Sequence, residues 1–183
     1  MFIRSERLFL RPAWPEDWTE ILTAICDEGL VRNLARAPWP YTVEDAMAFA
    51  RLPQQRMFPH FLITLPSATG ARVIGCIGLA EQDGRAELGY WISRDRWGRG
   101  YATEASRAVL RLAAALGHRR LHAHHFADNP ASGRVLAKVG FRPTGERRPR
   151  HSLARGGESL SVSLEAEIGA DNEGNRMRLQ DAA

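Results

Sequence analysis

The sequence is poor in three things, and each shortage excludes a class of protein. Cysteine is the first: only Cys26 and Cys76 are present, in what read as an apolar helix and an apolar strand. Two such residues do not build a disulfide framework, and a reducing cytoplasm suits them. Lysine is the second. Lys138 stands alone, so the net charge of +4 is almost wholly arginine, a side chain that prefers planar, two-pronged contact with phosphate or carboxylate. Long apolar runs are the third. None approaches the roughly 20 residues of a membrane span, and Met1-Phe2-Ile3-Arg4-Ser5-Glu6-Arg7 lacks the apolar stretch of a signal peptide. A cytoplasmic protein without membrane contact is expected. Basic runs interleaved with aromatics are missing as well, which argues against nucleic acid as a partner.

What is present suffices for one well-buried core: 183 residues, of which 44% are hydrophobic. Residues 2–10 alternate as a first strand, and Pro15 opens a helix through about residue 28 with Trp18, Ile21, Leu22 and Ile25 as its stripe. Thr42 and Asp45 form a capping pair at the start of a second helix running through Arg51. Strands follow at Phe58–Leu65, Arg72–Ala80 and Arg85–Ile92, the last two joined by an Asp83-Gly84 hairpin turn. A long helix runs from Tyr101 to about Leu116, where Gly117 stops it. The remainder reads as a strand at Arg119–Phe126, a helix from Pro130 to Val139, a strand from Phe141 and a last strand at Leu160–Ile168. Residues 169–183 are polar and aperiodic, as in a flexible tail. The expectation is one α+β domain over residues 1–168, with a mixed, mostly antiparallel twisted sheet of about seven strands flanked by about four helices.

The segment Trp97-Gly98-Arg99-Gly100-Tyr101-Ala102-Thr103-Glu104-Ala105 carries the most chemistry. It joins an aromatic-rich strand to the long helix, so its backbone N–H groups gather at the positive end of the helix dipole. That geometry holds phosphate without side chains. A dinucleotide fingerprint is excluded, because Thr103 stands where a third glycine belongs and the region about 20 residues on is basic. No Gly-Lys-Ser/Thr follows, so the nucleotide-triphosphate loop is excluded too. The alternative of an ordinary glycine turn stays open on this segment alone.

Three further pieces stand in register with it: Glu87-Leu88-Gly89-Tyr90-Trp91-Ile92 before, then Asn129-Pro130-Ala131-Ser132 and Gly140-Phe141 after. Together they resemble the GNAT superfamily of acyl-CoA-dependent N-acetyltransferases, most closely its ribosomal-protein N-terminal acetyltransferase branch. Ser5-Glu6-Arg7-Leu8-x-Leu10-Arg11-Pro12 and Asp17 are similar to that branch as well. The resemblance implies a GNAT-type sandwich fold and direct acetyl transfer from acetyl-CoA to a primary amine, on a protein N-terminus or a small molecule; the alternative is a non-catalytic acyl-CoA-binding module on the same scaffold. It implies that the amides of Arg99, Gly100, Tyr101, Ala102 and Thr103 bind the CoA pyrophosphate. The pantetheine arm would run between the strands Glu87–Ile92 and Arg119–Phe126, and amides near Trp91 and Ile92 would steady the oxyanion. Many members carry Arg or Gln where this chain has Trp97; with backbone amides as the ligands, cofactor capture is expected to survive the change. A homodimer is left open.

Single residues have competing readings. Asn129 before Pro130 is an ideal helix cap, while the resemblance adds a bond to cofactor or acceptor. Ser132 is an ordinary first-turn serine or, by resemblance, the acid that protonates the departing thiolate. Glu87 is either the base that takes a proton from the acceptor amine or the partner of Arg85 or Arg94 in a strand pair; a bulge at Gly89 would reset which way it points. Glu104 is expected to serve the helix dipole. Arg134 and Lys138 are a solvated face or contacts for the adenosine 3′-phosphate. His122 and His124 share a strand face without a third ligand at suitable spacing, so no metal is expected. By the resemblance, Trp39-Pro40-Tyr41 and Arg147-Arg148-x-Arg150-His151 lie on the acceptor side; the alternative is that Trp39 is core and the arginines a solvated hairpin.

Overall fold

In the computed structural model, residues 1–68 and 70–169 are described. Eight strands form one sheet in the order β1-β2-β3-β4-β5-β6-β8-β7. They are β1 (Ile3–Arg4), β2 (Phe9–Arg11), β3 (His60–Ser67), β4 (Gly70–Gln82), β5 (Arg85–Ile92), β6 (Arg120–Phe126), β7 (Arg142–Ser152) and β8 (Gly157–Glu167). Five helices accompany them: α1 (Trp18–Ile25), α2 (Glu28–Val31), α3 (Val43–Ala50), α4 (Tyr101–Ala115) and α5 (Pro130–Lys138). Every neighbouring pair is antiparallel except β5–β6, which is parallel.

Each face of the sheet is covered by its own core. On one, α4 lays Ala105, Ala108, Val109 and Ala113 against Ile74, Leu88, Ile92 and Leu121, with Leu136 of α5 beside them. Small residues along α4 let the helix approach the strands closely. On the other, α1, α2 and α3 bury Ile21, Ile25, Leu30, Val31, Ala46 and Ala50 over Leu62 and Val73. The order of elements is thus an α+β sandwich.

Several boundaries differ from expectation for local reasons. The single first strand is two, because Ser5 N donates to Leu8 O at 3.0 Å and reverses the chain into the β1–β2 pair. The first helix ends at Ile25, and Asp27 then caps the separate short α2 by accepting from Leu30 N. Cys26 therefore lies at a helix end and is exposed rather than in an apolar stripe, whereas Cys76 is buried and its thiol is pushed up to about 12 by that burial. The strand expected at Arg72–Ala80 extends over Gly70–Gln82. Thr42 and Asp45 form the reciprocal cap of α3. Asp83 (φ 52°) and Gly84 (φ 72°) make the tight hairpin turn, both in the left-handed region a type I′ turn requires. Residues 170–183, most of the expected tail, lie outside the described residues. No described helix is long and apolar enough to cross a membrane.

Candidate active site

The parallel pair β5–β6 is joined at one register position, Glu87 opposite His122. No further ladder pair connects the two strands, and a cleft of about 400 Å³ fills the gap. Tyr90, Trp91 and Ile92 line it from β5, His124, His125 and Phe126 from β6, and Asn129 and Ser132 from α5. Gly98, Gly100, Tyr101, Ala102 and Thr103 form its mouth.

That mouth is built for an anion. Gly98 (φ 75°) and Gly100 (φ 80°) hold the left-handed conformation on either side of Arg99, the kind of turn in which successive backbone amides can meet one anion. Gly100 caps α4 without a side chain. The N–H groups of Gly98 through Thr103 meet no acceptor among the described residues, as the first turn of a helix leaves them. A Cβ on Gly98 would point into open space, and one on Gly100 would meet only Arg7 Nη2 at 3.5 Å.

Glu104, four residues on, has a structural task beyond the helix dipole. Its carboxylate accepts from Ser5 Oγ, Arg7 N and Arg7 Nε, each at 2.7 Å. Arg7 also donates to Arg99 O at 3.1 Å and lies over the Tyr101 ring. The segment between β1 and β2 thereby braces the glycine turn. Partial burial pushes the Glu104 carboxyl up, but the bonds from Arg7 and Ser5 outweigh it and hold the group below the ordinary carboxylate range.

Deeper in the cleft, the β4–β5 ladder runs unbroken from Gln82–Arg85 to Gly75–Ile92, so there is no bulge at Gly89. Glu87 and Trp91 consequently share a face, opposite Leu88 and Ile92. Glu87 pairs with neither Arg85 nor Arg94. Arg150 of β7 donates through Nη2 to both its oxygens, at 2.8 and 3.1 Å, and the Glu87 side chain is only 13% exposed. His124 Nε2 is 3.7 Å from the same carboxylate. Burial lowers the His124 pKa; Glu87 opposes this and Arg150 adds to it. The ring is thus neutral near pH 7, and Arg150 supplies the countercharge.

Asn129 does cap α5: its Oδ1 accepts from Ser132 N at 3.3 Å, which leaves the amide NH₂ free. Ser132 Oγ lies 2.8 Å from the phenol oxygen of Tyr90. Burial pushes Tyr90 up to about 12, against a smaller opposing effect of the Ser132 bond, so it stays a hydroxyl. Arg134 and Lys138 also line the cleft. No group of three or more His, Cys, Asp or Glu able to hold a metal occurs among the described residues.

The far wall comes from the segment after α2. Asn33, Leu34 and Ala35 line the cleft, tied to the β7–β8 turn by Ser152 Oγ to Leu34 O (2.9 Å) and Leu153 N to Ala35 O (3.1 Å). Arg155 locks the corner, bonding both Asp128 oxygens at 2.9 Å and donating to Arg32 O at 2.7 Å. Trp39 packs on, and Tyr41 belongs to, the core under α1–α3 rather than the cleft. Of the expected acceptor-side residues only Arg150 lines it. Tyr90 was the residue the sequence reading passed over; its alternation with Leu88 and Ile92 placed it on the α4–α5 face, but nothing local marked Ser132 as its partner.

The family model for the acetyltransferase (GNAT) domain matches residues 7–142. The chain belongs to the GNAT acetyltransferase family. It is 32% identical over 151 residues to the uncharacterized N-acetyltransferase YoaA of Bacillus subtilis (strain 168), covering 78% of this chain and 84% of that one. Among solved structures, a GNAT-family acetyltransferase from Bacillus anthracis superposes with a TM-score of 0.78 at 21% identity, over 93% of this chain and 100% of that one. RimL, a ribosomal L7/L12 α-N-protein acetyltransferase in complex with CoA, gives 0.76 at 19% identity over 93% and 100%. At such identities these two likenesses concern the fold. This GNAT chain is an acetyltransferase.

Proposed function

We propose that the enzyme acetylates a primary amine, the N-terminal amine of a protein or peptide, by direct attack on acetyl-CoA in a ternary complex. The observation that carries this reading is the Glu87 carboxylate, only 13% exposed, at the end of the cleft where β5 and β6 pair, with unmet amides at the cleft's mouth.

The amides of Arg99, Gly100, Tyr101, Ala102 and Thr103 take the pyrophosphate, with Arg134 and Lys138 available to the adenosine 3′-phosphate. The pantetheine arm enters between β5 and β6 past Asn129, whose free NH₂ bonds it. An amine of ordinary pKa arrives protonated at pH 7. Glu87 takes that proton, directly or through water. The amine lone pair then forms the C–N bond, and backbone N–H groups near Trp91 and Ile92 hold the oxyanion. The C–S bond breaks with the electron pair on sulfur, and Ser132, backed by Tyr90, supplies its proton. Cys26 is exposed and Cys76 is buried with a raised thiol pKa, so neither suits a covalent acyl intermediate. Thiol release from acetyl-CoA tests the reading: peptides with free N-termini should be turned over and their N-blocked counterparts should not. Turnover confined to small amines would reject the peptide acceptor and leave acetyl transfer standing.

A further inference from the structure

Arg150 lines the cleft beside Glu87 with most of its donors unspent. One nitrogen, Nη2, serves both Glu87 oxygens. Nε and Nη1 donate to nothing among the described residues, although the side chain is only 23% exposed. A guanidinium carries five N–H donors in a planar fork, and a half-buried one left unmet forfeits bonds that charged groups make strongly. The surroundings offer no remedy. Among the described residues Glu87 is the only acid lining the cleft, against Arg96, Arg134, Lys138 and Arg150. Arg96 already pairs with Asp95, and Arg134 and Lys138 sit on α5 beside the proposed cofactor path. His124 is neutral, and Arg148, the neighbouring arginine of β7, is occupied by Glu146. Glu87 and Arg150 balance each other in charge, and what the acceptor end holds in excess is the unmet N–H donors of Arg150.

We propose that the acceptor carries a carboxylate close to its reacting amine, and that Arg150 selects for it. Nη1 takes that carboxylate while Nη2 remains on Glu87. The amine then lies beside Glu87 and the carboxylate beside Arg150, so each partner meets its opposite. The chemistry fits a free α-amino acid, or a peptide whose first residue is Asp or Glu. The inference rests on the acetyl transfer proposed above and adds a carboxylate to its acceptor; a free amino acid as the winner would replace the peptide acceptor proposed there.

The test uses the full chain with acetyl-CoA and paired acceptors. α-Amino acids are compared with their amides, and amidated tripeptides beginning with Asp or Glu with those beginning with Asn or Gln. In one of the two sets the carboxylate member should win by about 10- to 100-fold in kcat/KM, and the winning set identifies the source. Arg150→Gln should collapse that ratio toward unity. Arg150→Lys, which keeps the charge and loses the fork, should retain part of it. Equal turnover of both members in every pair overturns the inference, as does an unchanged ratio in Arg150→Gln. Turnover of no amine, with acetyl-CoA still bound by calorimetry, rejects the transferase reading and this inference with it.

Discussion

The phenol oxygen of Tyr90 lies 2.8 Å from Oγ of Ser132, and the contact links the middle of β5 to the first turn of α5. Because Tyr90 is held up at about 12, its proton stays in place at working pH. The two hydroxyls form one donor chain at the cleft wall. Ser132→Ala should lower kcat by less than about 100-fold, because a thiolate of pKa near 8.5 is already a fair leaving group. Tyr90→Phe should cost a similar amount, and the double variant no more than the worse single. Full activity in Ser132→Ala would remove the acid from the mechanism.

Bracing of the glycine turn by Glu104 has a consequence for stability. Glu104→Gln weakens three short hydrogen bonds, and a loss of about 1–3 kcal/mol is expected in urea unfolding. The sign of the pH dependence follows from the lowered carboxyl pKa. Its contribution is fully present above the unfolded value of about 4.3 and fades as pH falls through the lower folded value. Wild type and Glu104→Gln should therefore converge in stability toward pH 3. A gap that is constant from pH 7 to pH 3 would mean that packing, not charge, is at work.

Gly100→Val tests the anion cradle. A β-branched residue at φ 80° is strained by roughly 1–3 kcal/mol, so some thermal stability should be lost. Affinity for CoA should fall much further than stability does, since the side chain and the shifted backbone disturb the amides that meet phosphate. Calorimetric titration at a temperature where the variant is folded separates the two effects. Unchanged CoA affinity would place the phosphate elsewhere.

Local signals were legible in the sequence, and contacts between distant segments were not. The Thr42–Asp45 cap, the Asp83-Gly84 turn and the Asn129–Pro130 helix start each span a few residues, and each forms as read. The β1–β2 reversal at Ser5–Leu8 has no glycine, proline or asparagine to announce it, and its alternation continues through the turn. The four-residue α2 is shorter than one helical period can reveal. Within the site, the glycine turn and Glu87 could be named because they are local features beside a recognisable strand. Arg150 reaches Glu87 across 63 residues and Tyr90 reaches Ser132 across 42. Such pairs are set by strand order, which periodicity does not encode. Trp39 and Tyr41 admit two readings from sequence, an acceptor slot or core, and the core has them: Tyr41 is buried and Trp39 packs against it partly buried.

The most direct measurement of the central claim is the pH dependence of kcat/KM for wild type and Glu87→Gln with one accepted amine. In the proposed mechanism Glu87 takes a proton that the amine carries below its own pKa, about 8 for an α-amine. Below that value the variant must wait for the rare neutral amine, and above it the need for a base disappears. The account predicts a loss of about 100-fold or more at pH 6 that shrinks steadily toward pH 9. A loss of equal size at every pH would contradict it and leave Glu87 as no more than the partner of Arg150.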